Sequence, residues 1–316
     1  MASVDARDQH EPVMVAETLH HLEPARGGCF VDCTLGLGGH AEAVLEAGAT
    51  RLVGLDYDPE ALALARDRLA RFGDRVDFVC TGYDQLEEAL RELSIGRVAG
   101  ILADLGLSSL QLGRAERGFS FQFDGPLDMR MGPSVSLTAA EIVNEYSEGD
   151  LEKILRDYGE ERAARRVARA LVDRRAERPI ETTAELRDVV HRVLGERSGA
   201  RRGRRGIDSA TRTFQALRIE VNQELAGLKT LLDQAMSMLD DDGRLVVISY
   251  HSLEDRIVKH AFRSAAIGQV DPVTGRARSE TRLIELLTRK PERPTQDEVS
   301  FNPRSRSARL RAARRL

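Results

Sequence analysis

Gly28-Cys29-Phe30-Val31-Asp32-Cys33-Thr34-Leu35-Gly36-Leu37-Gly38-Gly39-His40 is the stretch whose reading decides the fold. Its first half reads as a buried strand ending at Asp32. The chain then passes through a turn holding Gly36, Gly38 and Gly39 into a helix beginning near His40. Residues without a Cβ at such a strand-to-helix turn let the backbone approach a ligand closely, as in the first βα turn of a nucleotide-binding sheet. About twenty residues further on, Arg51-Leu52-Val53-Gly54-Leu55-Asp56 is a second strand that ends in a carboxylate, placed to accept hydrogen bonds from two ribose hydroxyls.

Outward from that turn the rhythm repeats. Strands are expected at 28–33, 51–56, 75–80 and 98–104, with helices at 40–47, 59–71 and 83–93 between them. Asp58-Pro59 supplies an N-cap and a first-turn proline for the second of these helices. The fourth strand carries Val98-Ala99-Gly100-Ile101-Leu102-Ala103, an apolar run suited to a strand covered on both faces. Repeated βα units of this length imply a parallel, doubly wound sheet.

After Asp104 the rhythm breaks. Residues 105–133 are rich in glycine and turn formers, and 138–194 show helical spacing with no strand candidate, which predicts an inserted helical domain closed by a basic loop at 195–206. One long amphipathic helix is expected over 210–239, with Phe214, Leu217, Val221, Leu225, Leu228, Leu232 and Met236 on one face. Asp208 and Ser209 would cap it and Gly243 would stop it. The sheet resumes at 245–250, a helix follows at 252–264, and two last strands are expected at 282–289 and 306–311. Seven strands ending in a hairpin-like pair give the expected fold class: α/β, a class I S-adenosylmethionine-dependent methyltransferase with a Rossmann-like seven-stranded sheet and an inserted all-helical domain. The methyltransferase domain is expected to be discontinuous, 1–111 and 209–316, with the insert at 112–208 as a substrate-recognition domain.

Composition narrows the function classes. With 316 residues, 41% hydrophobic and 31% charged, the chain can bury a full core and is neither disordered nor a membrane protein by composition. No apolar run approaches ~18 residues and 1–11 lack an apolar signal region, so no membrane association and a cytoplasmic location are expected. Cys29, Cys33 and Cys80 fall in strands, and one C-x3-C pair without a second cluster gives no reason to expect a metal. Of 47 basic residues only Lys153, Lys229, Lys259 and Lys290 are lysines. Arg197, Arg201, Arg202, Arg204 and Arg205 crowd the basic loop, and Arg304, Arg306, Arg309, Arg311, Arg314 and Arg315 close the chain. On a chain of net charge −4, such segments suggest a phosphate-bearing partner.

The glycine turn alone leaves the cofactor open, because Gly36-x-Gly38-x-x-Ala41 also satisfies a dinucleotide fingerprint with Asp56 at the right distance. Ligands of such sheets sit at the carboxyl edge of the strands. There the third strand is followed by Thr81-Gly82-Tyr83, the fourth ends in Asp104-Leu105-Gly106-Leu107-Ser108-Ser109, and the fifth in Ser249-Tyr250-His251-Ser252. An aromatic ring for an adenine and a polar acceptor for an exocyclic amine are what an amine methyltransferase would keep at those places. A scaffold that binds RNA without chemistry, and a nicotinamide oxidoreductase, remain alternatives on these residues alone.

Longer motifs carry a resemblance. Asp32 to His40, Asp104-Leu105-Gly106-Leu107-Ser108-Ser109-Leu110-Gln111, Arg117-Gly118-Phe119-Ser120-Phe121 and 124–131 are joined by 210–219, 252–259 and 302–307, in order along the chain. On these stretches it resembles the RsmH (MraW) family of bacterial 16S ribosomal RNA cytosine-N4 methyltransferases. The resemblance implies S-adenosyl-L-methionine as cofactor and 16S rRNA of the small ribosomal subunit, near the decoding P site, as partner, with a homodimer left open. It implies cofactor contacts at Gly38, Gly39, His40, Asp56, Tyr83, Asp104 and Gln111. Leu110 stands where the family usually has proline, and Ile207-Asp208-Ser209 where it has His-Pro. For the chemistry, Asp104 is the candidate acceptor for the amine, with Ser108, Ser109 and His251 shaping the base pocket. A ring-carbon methyltransferase would need a cysteine nucleophile, and none sits at a strand-end loop suited to it.

Overall fold

The computed structural model describes residues 11–198, 207–269 and 278–316. In chain order the helices are α1 (Val15–Leu22), α2 (Gly39–Glu46), α3 (Pro59–Leu69), α4 (Leu86–Glu92), α5 (Ser109–Gly113), α6 (Ala139–Glu145) and α7 (Glu148–Asp157). They continue with α8 (Ala164–Glu177), α9 (Thr183–Leu194), α10 (Thr211–Asn222), α11 (Glu224–Met238), α12 (Ser252–Ile267) and α13 (Gln296–Phe301). The main strands are β1 (Cys29–Asp32), β2 (Arg51–Asp56), β3 (Val76–Cys80), β4 (Val98–Asp104), β5 (Leu239–Ser249), β6 (Ile284–Leu286) and β7 (Arg309–Arg315). Two compact units divide the chain: Met1–Gly106 with Leu225–Leu316, and Leu107–Glu224.

In the first unit the seven strands lie in the order 3-2-1-4-5-7-6. β1 to β5 run parallel, and β7 is antiparallel to both β5 and β6. Successive side chains of a strand point to opposite faces. Accordingly Val31, Val53, Ile101 and Leu245 pack with α4, α11 and α12 on one side, while Phe30, Leu52, Leu102 and Val246 pack with α1, α2 and α3 on the other. Each such side chain, fully buried, contributes roughly 1.5–3 kcal/mol. Strand order reverses between β1 and β4, so the ends of these two strands flank the crevice where such sheets bind ligands. The second unit is helical apart from a two-residue ribbon, Arg197–Ser198 with Ile207–Asp208. Ile142, Leu155, Val167, Leu171, Leu186 and Leu217 are buried in it. Asn144 on α6 holds the segment between α8 and α9, donating to Ile180 O and accepting from Ile180 N.

Three expectations are corrected. The helix predicted over 210–239 is two helices broken at Gln223, whose φ is 50°. No glycine or proline marks the break; Asn222 fixes it through tertiary bonds, donating to Met129 O and accepting from Met131 N. Phe214, Leu217 and Val221 therefore belong to the second unit, and Leu228, Leu232 and Met236 to the core of the first. Asp208 accepts from Ala210 N and pairs with His191, without capping α10, while Gly243 lies inside β5, not at a helix end.

The basic C-terminal segment is likewise no free tail. Arg309 and Arg311 both pair with Asp255 on α12, at 3.3 and 2.7 Å, and Arg314 pairs with Asp242 and Glu285 at 2.6 Å each, so these three of the six arginines already have carboxylate partners within this unit. The loop arginines at 201–205 lie outside the described residues, as does the side chain of Arg197.

Candidate active site

At the end of β1, Asp32 is 2% exposed, and its Oδ1 accepts from Thr34 N at 3.1 Å and from the Thr34 hydroxyl at 3.4 Å. The same hydroxyl oxygen accepts from Asp104 N at 2.7 Å, so one threonine couples the ends of β1 and β4. Gly38, with φ 78°, begins α2 without a side-chain cap, a conformation that favours glycine and leaves the helix's first N–H groups to a ligand. Asp56 at the end of β2 accepts from Gly36 N at 2.7 Å and from Asp58 N at 2.9 Å through different oxygens.

His40 and Asp104 meet across the turn, with His40 Nε2 3.5 Å from Asp104 Oδ2. That distance makes an ion pair, not a hydrogen bond. Both ring nitrogens of His40 are buried without a hydrogen-bond partner among the described residues. A buried imidazole whose nitrogens make no hydrogen bond is costly in a native fold. Burial pushes the His40 pKa down, but Asp104 outweighs this, helped by Asp32 and Glu298, so it ends above the ordinary histidine value. Tyr250, which follows β5, donates its hydroxyl to Asp104 Oδ1 at 2.8 Å.

Asp32 shows the cost of this dry environment. Burial, opposed by His40 and by the Thr34 N–H, raises its pKa from 3.8 to about 6. A folded-state pKa above the unfolded one contributes stability that is complete below the unfolded value and lost as pH rises through the folded value. Asp32→Asn keeps the acceptor for Thr34 and removes the charge. It should therefore gain on the wild type as pH rises, reaching about 3 kcal/mol near pH 8 and well under about 1 kcal/mol near pH 4. Denaturant unfolding at both pH values measures this, and equal stability at the higher pH would refute the assignment.

The other predicted residues are placed as follows. Tyr83 begins a short turn before α4, stacked edge-on to Tyr57 at 6.0 Å, and a Cβ on Gly227 would lie 3.1 Å from its ring. His251 caps α12: its Nδ1 accepts from Glu254 N at 3.4 Å and its Nε2 lies 3.1 Å from Glu254 Oε1. No bond joins it to Asp104 among the described residues. In the second unit, Ser108 and Gln111 form the capping box of α5, the Ser108 hydroxyl accepting from Gln111 N and Gln111 Oε1 accepting from Ser108 N. Ser109 is the first residue of that helix. The first unit thus brings Asp32, His40, Asp56 and Asp104 to one edge. Sequence reasoning missed Thr34, Asp32 and Tyr250. Of these only Thr34, a hydroxyl inside the glycine turn, carries a local signal.

Residues 7–316 match the profile of the MraW methylase family. A protein of Kosmotoga olearia named ribosomal RNA small subunit methyltransferase H is 47% identical over 312 residues, covering 98% of each chain. One of the same name from Geotalea uraniireducens is 49% identical over 311 residues, covering 97% of this chain and 98% of its own. Among solved structures, an rRNA methylase from Streptococcus thermophilus is 10% identical with a TM-score of 0.42, covering 94% of this chain and 95% of its own.

Proposed function

The chain belongs to the MraW methylase family, and from that premise we propose that it methylates the exocyclic N4 amine of a cytosine in 16S rRNA of the small ribosomal subunit, near the decoding P site, using S-adenosyl-L-methionine. The observation that carries the reading is the meeting of buried His40 with Asp104 at the β1/β4 crevice, beside the uncapped N-terminus of α2. The open N-terminus of α2 with Gly38, Gly39 and His40 would hold the methionine part, Asp56 the ribose and Tyr83 the adenine. Gln111 and the serines after Asp104 are assigned to the pocket by family resemblance. When bound, the cofactor supplies an electrophilic methyl group on a sulfonium.

The protein's task is to orient a poor nucleophile. Cytosine's amine lone pair is delocalised into the ring, so Asp104 accepts a hydrogen bond from the amine and stabilises the positive charge that develops on that nitrogen. Holding the reactants in a near-attack arrangement supplies ~7–11 kcal/mol of the barrier. Ring-carbon methylation through a thiolate fits less well. Burial raises Cys29 to about 11 and pushes Cys33 and Cys80 up as well, so none is a ready nucleophile.

For the RNA, the second unit offers an unpaired basic face. Arg162, just before α8, and Arg165 and Arg169 on it are exposed and pair with no carboxylate among the described residues. Arg166 beside them donates to Val193 O at 3.5 Å, and the first turn of α8 holds no acidic residue. Several other arginines of this unit do have partners: Arg156 with Glu152, Arg178 with Glu185, Arg187 with Asp188. Incubating the protein with methyl-labelled S-adenosylmethionine and small-subunit particles from cells lacking the activity should place label in 16S rRNA. Label confined to ribosomal protein would refute the reading.

A further inference from the structure

Tyr250 lies in the stretch that ends the fifth strand but was given no role there, yet its hydroxyl contacts Asp104 Oδ1 at 2.8 Å while His40 faces Oδ2. Its own backbone is held, because Tyr250 N donates to Glu254 Oε2 at 2.8 Å. Its ring is held as well. Gly106, two residues after Asp104, has φ 112°, and a Cβ there would lie 3.3 Å from Tyr250 Cδ2. The chain therefore leaves Asp104 over the face of this ring in a conformation that favours glycine.

The geometry points to Tyr250 as a positioning residue for methyl transfer: its hydroxyl occupies Oδ1 of Asp104 and fixes the carboxylate's rotation, so that a defined oxygen lone pair meets the substrate amine. A carboxylate's terminal torsion is broad and roughly two-fold, and nothing in the Asp104 backbone settles it. A donor on one oxygen does, and an acceptor that needs no reorientation is worth more in a dry site. Burial and then the Asp104 charge push the phenol well above the ordinary tyrosine range, so it keeps its proton and acts as donor, never as base. This inference rests on the functional reading above and adds to it a residue that acts through Asp104 without touching substrate.

Tyr250→Phe keeps the ring on Gly106 and removes only the hydroxyl. We expect kcat to fall roughly tenfold to a hundredfold, the worth of one hydrogen bond to a charged group, with KM for particles and cofactor affinity within about twofold. In an Asp104→Asn background the same change should add almost nothing, because the amide's one oxygen faces Tyr250 and no second oxygen is left for the hydroxyl to orient toward the amine. A merely structural role would instead lower the melting temperature, raise KM and add its loss to that of Asp104→Asn.

A second readout needs no RNA. With ring-carbon-labelled tyrosine, the Tyr250 resonance, identified by its loss in Tyr250→Phe, should titrate at lower pH in Asp104→Asn than in the wild type. Unchanged kcat in Tyr250→Phe, an additive double variant, or a Tyr250 titration indifferent to Asp104 would each overturn the inference. Failure of the functional reading is distinguished at the outset, since the wild type itself would then transfer no methyl to RNA, and the inference would fall with it.

Discussion

Asp104→Asn is expected to lower kcat for methyl transfer by roughly 10²–10³-fold, the scale of losing one preorganised electrostatic partner in a water-poor site. The substitution is nearly isosteric, and its remaining oxygen can still accept from the Tyr250 hydroxyl now bonded to Oδ1 at 2.8 Å. What is lost is the negative charge, on which both the developing positive charge of the amine and His40, 3.5 Å from Oδ2, depend. The backbone bond from Asp104 N to Thr34 is untouched, so the strand end should stay in place. Single-turnover kinetics with saturating cofactor separates the chemical step from binding. A loss confined to KM would mean that Asp104 serves binding alone.

Replacing Arg162, Arg165 and Arg169 together by glutamine should weaken binding to small-subunit particles without touching the chemical step. If each guanidinium neutralises one phosphate, the slope of log K against log salt becomes shallower by about 2, at 0.7 per contact. Affinity at about 0.15 M salt then falls roughly fiftyfold. Glutamine is nearly as good a helix former as arginine, and all three positions are exposed, so α8 should keep its stability. Arg166 is left alone because its bond to Val193 O belongs to the packing of α8 on α9. An unchanged salt slope would remove this face from the RNA-binding surface.

Much of the first unit was legible because its chemistry requires local patterns. A ligand-approaching turn needs glycines beside one another, and a ribose carboxylate must end the next strand; both fall within thirty residues of sequence. The β4 apolar run likewise announced a strand covered on two faces. What stayed hidden depends on partners far apart in sequence. Tyr250 and Asp104 are 146 residues apart, and neither side chain advertises the other. The C-terminal arginines suggested a phosphate-bearing partner because Asp255 and Asp242, which pair with them, lie 54–72 residues earlier. Yet the alternation Arg309-Leu310-Arg311-Ala312 already had the period of a strand, with Leu310 and Ala312 buried together on one face. The break at Gln223 had no such signal, since side-chain bonds of Asn222 to the loop at 129–131 end α10 there.

The central claim is amine methylation of a 16S rRNA cytosine, and nucleoside mass spectrometry tests it most directly. Small-subunit particles lacking the modification are incubated with the protein and S-adenosylmethionine, and the 16S rRNA is then digested to nucleosides. N4-methylcytidine is expected, formed roughly 10²–10³-fold more slowly by Asp104→Asn. Methylation on the cytosine ring carbon, or tight cofactor binding with no methylated cytidine at all, would contradict it.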